Sequence, residues 1–302
     1  MDLEHKAIER IKMASEMSLQ HYKKPLVCTY SGGKDSDVML ELFKRSGIQF
    51  EVHHSHTTAD APPTVYHIRK VFRELELIGI KCDIDYHIQS NGKAITMWNL
   101  IPVQGIPTRL CRFCCKYLKE SGGRDRMVAT GVRWAESSKR ADTRDTYESV
   151  NRNPQNRIRI SDEKMLLTDN DDTRRFIEHC QMKAKTVVNP IIDWKDSDVY
   201  DFYWNECPSH NPLYKMGYTR VGCIGCPMAS KTRWKEFADF PKYKAAYIRA
   251  FEKMLEIRTQ KGLKHKWKNA QEVFLWWMED KNVPGQMEME FMDGDVVVGR
   301  QE

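Results

Sequence analysis

Apolar positions along the chain alternate between a helical and an extended period. Between residues 3 and 22, Ile8, Ile11, Met13, Met17 and Leu19 fall among charged residues at roughly helical spacing, which predicts an amphipathic helix. Leu26-Val27-Cys28-Thr29-Tyr30 is a short β-prone run. A glycine-containing turn follows it, then a helical pattern over 36–45 that Gly47 ends. Residues 50–54 read as a second strand, 82–87 as a third and 127–132 as a fourth. A helix over 64–77, entered through Pro62-Pro63, lies between the second and third. Strands alternating with helices predict an α/β fold, a doubly wound parallel sheet covered on both faces.

The pattern then changes. Residues 141–175 are polar, rich in Asp, Arg and Asn, and read as an excursion from the sheet. After Pro190-Ile191-Ile192-Asp193-Trp194, helical patterns dominate, over 195–205, 230–238, 241–261 and 268–279. Pro284-Gly285 and Asp293-Gly294 around short apolar runs predict a small hairpin within 283–302. The expected organisation is therefore an α/β domain over 1–228 and a mainly helical extension over 229–302.

Composition adds exclusions. No apolar run approaches the roughly 18 residues a membrane span needs, and residues 1–24 are charged with no signal-like apolar segment. The expectation is a cytoplasmic protein with no membrane partner. The formal charge of +6 is mild, but basic residues crowd 109–159 and again 231–268, where Trp234, Tyr243, Tyr247 and Trp267 are interleaved. That pattern suits a polyanion, so a nucleic-acid partner is one expectation. An anionic nucleotide alone would also account for positive charge near a site.

Nine cysteines matter through their grouping. Cys111, Cys114 and Cys115 form one group, Cys223-x-x-Cys226 another, and Cys207 lies nearby in sequence. In a reducing compartment such groups favour metal or iron–sulfur ligation over disulfides. Cys28, Cys82 and Cys180 are scattered and read as small core hydrophobes.

Ser31-Gly32-Gly33-Lys34-Asp35-Ser36 stands between the first strand and its helix. Two glycines let the backbone turn tightly and approach an anion, while N–H groups at the helix start point towards it. Ser31 and Ser36 add hydroxyl donors and Lys34 adds charge. The spacing is not that of a Walker A loop.

This S-G-G-x-D-S segment resembles the phosphate loop of the PP-loop ATP pyrophosphatases, which cleave ATP between its α- and β-phosphates to adenylate a substrate. Further blocks resemble the phosphoadenosine phosphosulfate reductase family within that superfamily: His56-Thr57-Thr58-Ala59-Asp60-Ala61-Pro62-Pro63-Thr64, and Gly131-Val132-Arg133-Trp134-Ala135-Glu136-Ser137-Ser138-Lys139-Arg140. Val188-Asn189-Pro190-Ile191-Ile192-Asp193-Trp194, Asn211-Pro212-Leu213-Tyr214 and Gly217-Tyr218-Thr219-Arg220-Val221-Gly222-Cys223 resemble its C-terminal blocks. The resemblance runs over about residues 24–230 and implies a sheet of the adenine-nucleotide α-hydrolase kind.

It also implies roles. Ser31, Gly32, Gly33, Lys34, Asp35 and Ser36 would hold ATP, with Thr58 and Gly131 joining them from the other blocks. Lys34, Asp35, Arg133 and Arg140 are the candidate catalytic residues. Asp35 would orient the loop or help to place Mg²⁺, and the arginines, with Lys139 as an even choice, would stabilise charge developing on pyrophosphate. Glu136 either fixes an arginine or the ribose, or caps the following helix. His53, His54 and His56 read as neutral hydrogen-bonders rather than ligands. Cys114-Cys115 with Cys223-x-x-Cys226 resembles the C-C…C-x-x-C set that binds a 4Fe–4S cluster in the adenylyl-sulfate reductases of this family. Cys111-x-x-Cys114 and Cys207 are rival ligands, Zn²⁺ is a rival metal, and a group of reduced buried cysteines is the rival without metal.

Reductases of the family generally lack an intact phosphate loop and attack sulfur with a C-terminal cysteine; here the loop is intact and residues 227–302 contain no cysteine. The expected function is therefore ATP cleavage and adenylation of an acceptor for sulfur transfer, with a sulfur donor or cysteine desulfurase as partner. A sulfonucleotide reductase and a non-catalytic nucleotide sensor are the alternatives.

Overall fold

The computed structural model describes residues 2–89, 91–119, 125–150, 158–161, 185–279, 289–292 and 295–298. The chain divides into two compact units, one of residues 1–97 and 112–226, the other of 98–111 and 227–302.

In the first unit, α1 (Leu3–Tyr22) opens with the Asp2 side chain accepting from the Glu4 N–H and closes on Lys23 in the left-handed region. Its buried face is Ala7, Arg10, Ile11, Ala14, Ser15 and Ser18, an i, i+3, i+4 stripe of mostly small residues. Leu19, expected on that face, is exposed. Arg10 is buried because Asp193 and the Pro190 carbonyl take its guanidinium at 2.7 and 2.8 Å.

β1 (Leu26–Thr29), α2 (Lys34–Ser46), β2 (Phe50–Ser55), α3 (Pro62–Leu77) and β3 (Lys81–Asp85) follow as the periodicity predicts. Prolines at the first positions of α3 cost nothing because those N–H groups have no helical acceptor. Next come α4 (Met97–Gln104), α5 (Phe113–Leu118), β4 (Met127–Ala129), α6 (Ser138–Thr143), β5 (Tyr147–Val150), β6 (Ile158–Ile160) and β7 (Lys185–Val188). α7 (Asp196–Glu206) and α8 (Pro212–Lys215) complete this unit.

The sheet order is β3-β2-β1-β4-β7-β5-β6. β3, β2, β1, β4 and β7 are parallel, whereas β5 runs antiparallel to β7 and to β6. The fold is thus α/β with a mostly parallel sheet. The expected excursion over 141–175 is corrected in part: β5 and β6 belong to the sheet, while 162–175 lie outside the described residues. The pattern misleads because β5 buries polar side chains. Glu148 is fully buried between Arg144 (2.9 Å) and the Asn189 amide (2.8 Å). Cys28 sits in the core as expected, Cys82 is half-buried on β3, and Cys180 lies outside the described residues.

Strand order reverses beside β1, so loops leaving β1 and β4 share one end of the sheet. Such a switch point is where open α/β sheets bind ligands.

In the second unit, α9 (Arg233–Asp239), α10 (Pro241–Gln260) and α11 (Ala270–Glu279) pack with the 98–111 segment. Trp98 meets Tyr243 and Tyr247, and the Trp277 indole donates to the Pro107 carbonyl at 2.7 Å. Arg233 is fully buried and donates to the Trp277 and Met278 carbonyls, closing the end of α11. Basic and aromatic residues of 231–268 therefore divide: Tyr247 and Arg233 are core, whereas Trp234 is exposed. β8 (Met289–Met292) and β9 (Asp295–Val298) pair antiparallel as the expected hairpin requires, with 293–294 outside the described residues. No described helix is long and apolar enough to cross a membrane.

Candidate nucleotide and cysteine site

The 31–36 segment leaves β1 and becomes the first turn of α2. Gly32 has φ +72°, and a Cβ there would lie 2.8 Å from Ile68 Cγ1 and 3.1 Å from Thr64 Cγ2, so both conformation and space require glycine. Ser36 ties the turn: its hydroxyl donates to the Gly33 carbonyl at 2.8 Å and accepts from the Gly33 N–H at 3.1 Å. The Ser31 hydroxyl donates to the Ser36 hydroxyl oxygen at 3.3 Å.

Residues far along the chain hold this loop from outside. The buried Asn211 amide donates to the Gly32 carbonyl (2.7 Å) and to the Thr64 hydroxyl (3.1 Å). The Lys34 N–H donates to the Tyr214 hydroxyl at 2.8 Å. Burial pushes Tyr214 up, so its proton stays on through neutral pH.

Lys34 is buried, with its ammonium 2.9 Å from Asp35 and 5.1 Å from the centre of the Tyr200 ring. Arg133, entering from the β4 side, is 1% exposed and spans Asp35 Oδ1 and Asp196 Oδ1, both at 2.7 Å. Burial works against its charge, but the two carboxylates outweigh it and hold the guanidinium protonated. Asp196 is held low by hydrogen bonding from Arg133. Gly131 serves the same contact: a Cβ there would come within 3.3 Å of Asp35 Cβ and of its carbonyl oxygen. Glu136 accepts from the Arg133 N–H at 3.1 Å and pairs with the half-exposed Arg140.

The arrangement joins Lys34, Asp35, Arg133 and Gly131 directly, while Arg140 reaches them only through Glu136. Each guanidinium nitrogen of Arg133 donates to a protein group, which ties Asp35 to the start of α7. Thr58 takes φ +62°, a left-handed conformation that costs a non-glycine residue, and its hydroxyl accepts from the Met97 N–H at 3.0 Å. Side-chain placement of Lys139 lies outside the described residues.

Cys223 lies against the segment that carries Thr58. Ala59 and Asp60 run antiparallel to 223–224, with the Ile224 N–H donating to the Ala59 carbonyl at 2.8 Å. The Cys223 thiol donates to the Thr57 hydroxyl at 3.3 Å. Cys114 and Cys115 lie on α5, and Cys114 feels the charges of Cys115, Cys223 and Cys226 together. A hydrogen bond from Cys114 pushes Cys115 down to about 5 against the effect of burial, with Arg112 donating to its sulfur at 3.2 Å. Cys114 is correspondingly raised. Burial raises Cys223 to about 11, opposed by Lys119, whose ammonium is itself held charged by Cys223, Asp60, Cys115 and Cys226.

The donor set thus fits a thiolate-ligated cluster: four soft sulfurs from two segments, with Arg112 and Lys119 offsetting their negative charge. Of the rivals, Cys207 is buried in the sheet core, raised by burial and by Asp37 and Glu41. Cys111 is exposed and belongs to the second unit.

Sequence reasoning missed Asp196, Tyr200, Arg112 and Lys119, and assigned no task to Asn211 or Tyr214 although it singled out their block. Lys195-Asp196-Ser197-Asp198 carried the signal of a helix start, but nothing along the chain marks which helix start faces a loop about 160 residues earlier.

The family model for the phosphoadenosine phosphosulfate reductase domain matches residues 25–229. The protein MJ0973 of Methanocaldococcus jannaschii is 27% identical over 267 residues, covering 86% of this chain and 54% of its own length. The adenosine 5′-phosphosulfate reductase of Allochromatium vinosum is 36% identical over 42 residues, 14% of this chain and 16% of its own. The chain spans about half the length of MJ0973 and 43% of a second M. jannaschii relative, MJ0066. Among solved structures, the phosphoadenylyl-sulfate reductase of Candida auris aligns with 15% identity and a TM-score of 0.44, covering 72% of this chain and 88% of its own. The U34-tRNA thiolase NcsA of Methanococcus maripaludis, solved with its [4Fe-4S] cluster, aligns with 13% identity and a TM-score of 0.37, covering 86% and 82%. With more than half of its residues matched by the family model, the chain belongs to the phosphoadenosine phosphosulfate reductase family.

Proposed function

We propose that this protein binds ATP with Mg²⁺ at the 31–36 loop, releases pyrophosphate and adenylates an acceptor for sulfur transfer. The observation that carries the reading is the loop itself. Its glycine turn, buried Lys34 and helix N-terminus are intact, and Asn211 and Tyr214 brace it. A phosphate chain is recognised by N–H groups at a helix start and by positive charge with restricted solvent.

In this reading the triphosphate displaces the internal bonds of Ser31, Gly33 and Ser36 and takes the Lys34 ammonium from Asp35. Asp35 Oδ2, released by Lys34, would then hold Mg²⁺, which would offset phosphate charge, while Arg133 keeps Oδ1. The protonated Tyr214 hydroxyl is a further donor beside the loop. Charge accumulating on pyrophosphate is met by Lys34 and by backbone N–H groups already oriented, which is where electrostatic catalysis acts.

Cys114, Cys115, Cys223 and Cys226 would hold a 4Fe–4S cluster, which supplies a redox-capable iron–sulfur centre. The protein's own part there would be electrostatic and positional: Arg112 and Lys119 favour thiolates, and the 59–60 with 223–224 pairing fixes Cys223.

The test is turnover by anaerobically purified protein given ATP or adenylyl sulfate, with iron and zinc measured on the same sample. The reading requires AMP and pyrophosphate from ATP, reduced about 100-fold or more in Lys34→Ala and restored in part by Arg at that position. Sulfite from adenylyl sulfate without ATP cleavage makes the protein a reductase instead.

A further inference from the structure

We propose that His54, His56 and Asp60 form a binding site for a divalent first-row transition-metal ion, separate from the four cysteines. The three offer ligand atoms that all lie within 4.8 Å of one another. β2 is buried at alternate positions through His54, so His56, two residues on, stays on the same side of the chain. Asp60 is brought back to them by a tight loop in which its carboxylate accepts from the Thr57 N–H at 2.8 Å, with Thr58 left-handed between them.

Neutral hydrogen bonding, the reading the sequence favours, accounts for one ring nitrogen of His54 and leaves the other. This residue is 5% exposed, and its Nδ1 is 2.9 Å from the Tyr30 carbonyl. A carbonyl only accepts, so Nδ1 carries the proton and Nε2 carries a lone pair. Among the described residues that Nε2 has no hydrogen-bond partner. An N–H anchored on a backbone carbonyl, with the opposite nitrogen directed elsewhere, is how metal-binding imidazoles are held.

The partner pair has matching dimensions. His56 Nδ1 and Asp60 Oδ2 are 3.5 Å apart, long for a hydrogen bond and close to the span of two donors each about 2.0–2.2 Å from one ion. Two imidazoles and one carboxylate select zinc, iron, cobalt or manganese over magnesium and calcium, which take oxygen ligands. Three protein ligands leave coordination positions open.

The surroundings define what occupies those positions. A small cleft lined by His54, His56, Tyr86 and Arg69 leads to the site, with the Tyr86 ring edge-on to His56 at 5.4 Å. Arg69 suits an anionic oxygen ligand. Lys119 also interacts with Asp60, so the ion shares that carboxylate with an ammonium group. The site adjoins both neighbours already described: Tyr30 precedes the phosphate loop, and Asp60 pairs with Cys223. The proposal stands whether or not ATP is the substrate.

Cobalt(II) is the probe, because its visible spectrum separates nitrogen and oxygen ligation from thiolate ligation. The 302-residue chain with its cysteines loaded with iron is titrated with Co²⁺ while bound metal is counted. The expected result is one additional ion with weak ligand-field bands and no sulfur-to-cobalt charge transfer. His56→Ala and Asp60→Asn should each weaken it more than about 100-fold, beyond the loss typical of an outer-shell partner, while His53→Ala leaves it unchanged. Absence of the additional ion, charge-transfer bands in the wild type, or binding that survives both substitutions overturns the proposal. The wild-type spectrum decides even where a variant does not fold.

Discussion

Arg133 shows what a single buried charge does in this site. Its planar fork reaches Asp35, Asp196 and the Trp194 carbonyl from one position, which a lysine ammonium cannot reproduce. Arg133→Lys should cost about 1–3 kcal/mol in chemical denaturation, the range for leaving buried partners unpaired, reduced because Asp196 keeps solvent contact. Gly32→Ala should cost more than its one methyl implies. Left-handed strain of about 1–2 kcal/mol adds to overpacking of about 1–3 kcal/mol against Ile68. A urea midpoint unchanged from wild type would contradict the geometry at that glycine. Tyr214→Phe removes an acceptor from the Lys34 N–H, and should raise the ATP concentration for half-maximal pyrophosphate release about fivefold, the value of one hydrogen bond near 1 kcal/mol. The glycines and Lys34 were legible in the sequence because a turn, a close approach and a charge each demand a particular residue type. The carboxylate partners of Arg133 were not, since nothing in the sequence marks which acidic residues an arginine will meet.

At the level of elements, the early strands and helices were readable because each keeps one period for a full turn or strand length. β5 and β7 were not, being four residues each, with Glu148, Ser149 and Thr186 buried. Polar residues inside a sheet look like loop until their partners, here Arg144 and Asn189, are placed. α5 was hidden differently: six residues containing two cysteines show no helical stripe. Between elements, Asp193 fastens the turn after β7 to α1 through Arg10 and Lys6. Burial alone would raise its pKa, but these donors reverse the effect and hold it below the ordinary carboxylate value. A carboxylate lowered on folding contributes stability that is complete above its unfolded pKa, about 3.9, and disappears as pH falls through the folded one. Asp193→Asn should therefore lower the urea midpoint at neutral pH, with the difference from wild type shrinking below about pH 4. A difference that stays constant into acid would assign the effect to packing instead.

Across the whole molecule, the second unit draws on two separated stretches of chain. Trp98 and Pro107 find their partners in Tyr243, Tyr247 and Trp277, all beyond residue 227. A chain ended at Cys226 should therefore leave 98–111 with exposed aromatic and aliphatic surface, and emerge from size exclusion as aggregate. A soluble monomer with wild-type melting temperature would show that this stretch needs no partner. Distance along the chain also separates the phosphate loop from its brace, since the Lys34 to Tyr214 bond joins residues 180 apart. On the ribosome, at about 5–20 residues per second, Lys34 precedes Tyr214 by roughly 10–40 s. For that interval the nascent protein carries a glycine loop without Asn211 and Tyr214 to clamp it. Under the proposed function, competence to grip a nucleotide is therefore acquired late in synthesis, and a ribosome stalled before residue 211 displays the sequence of the loop without its brace.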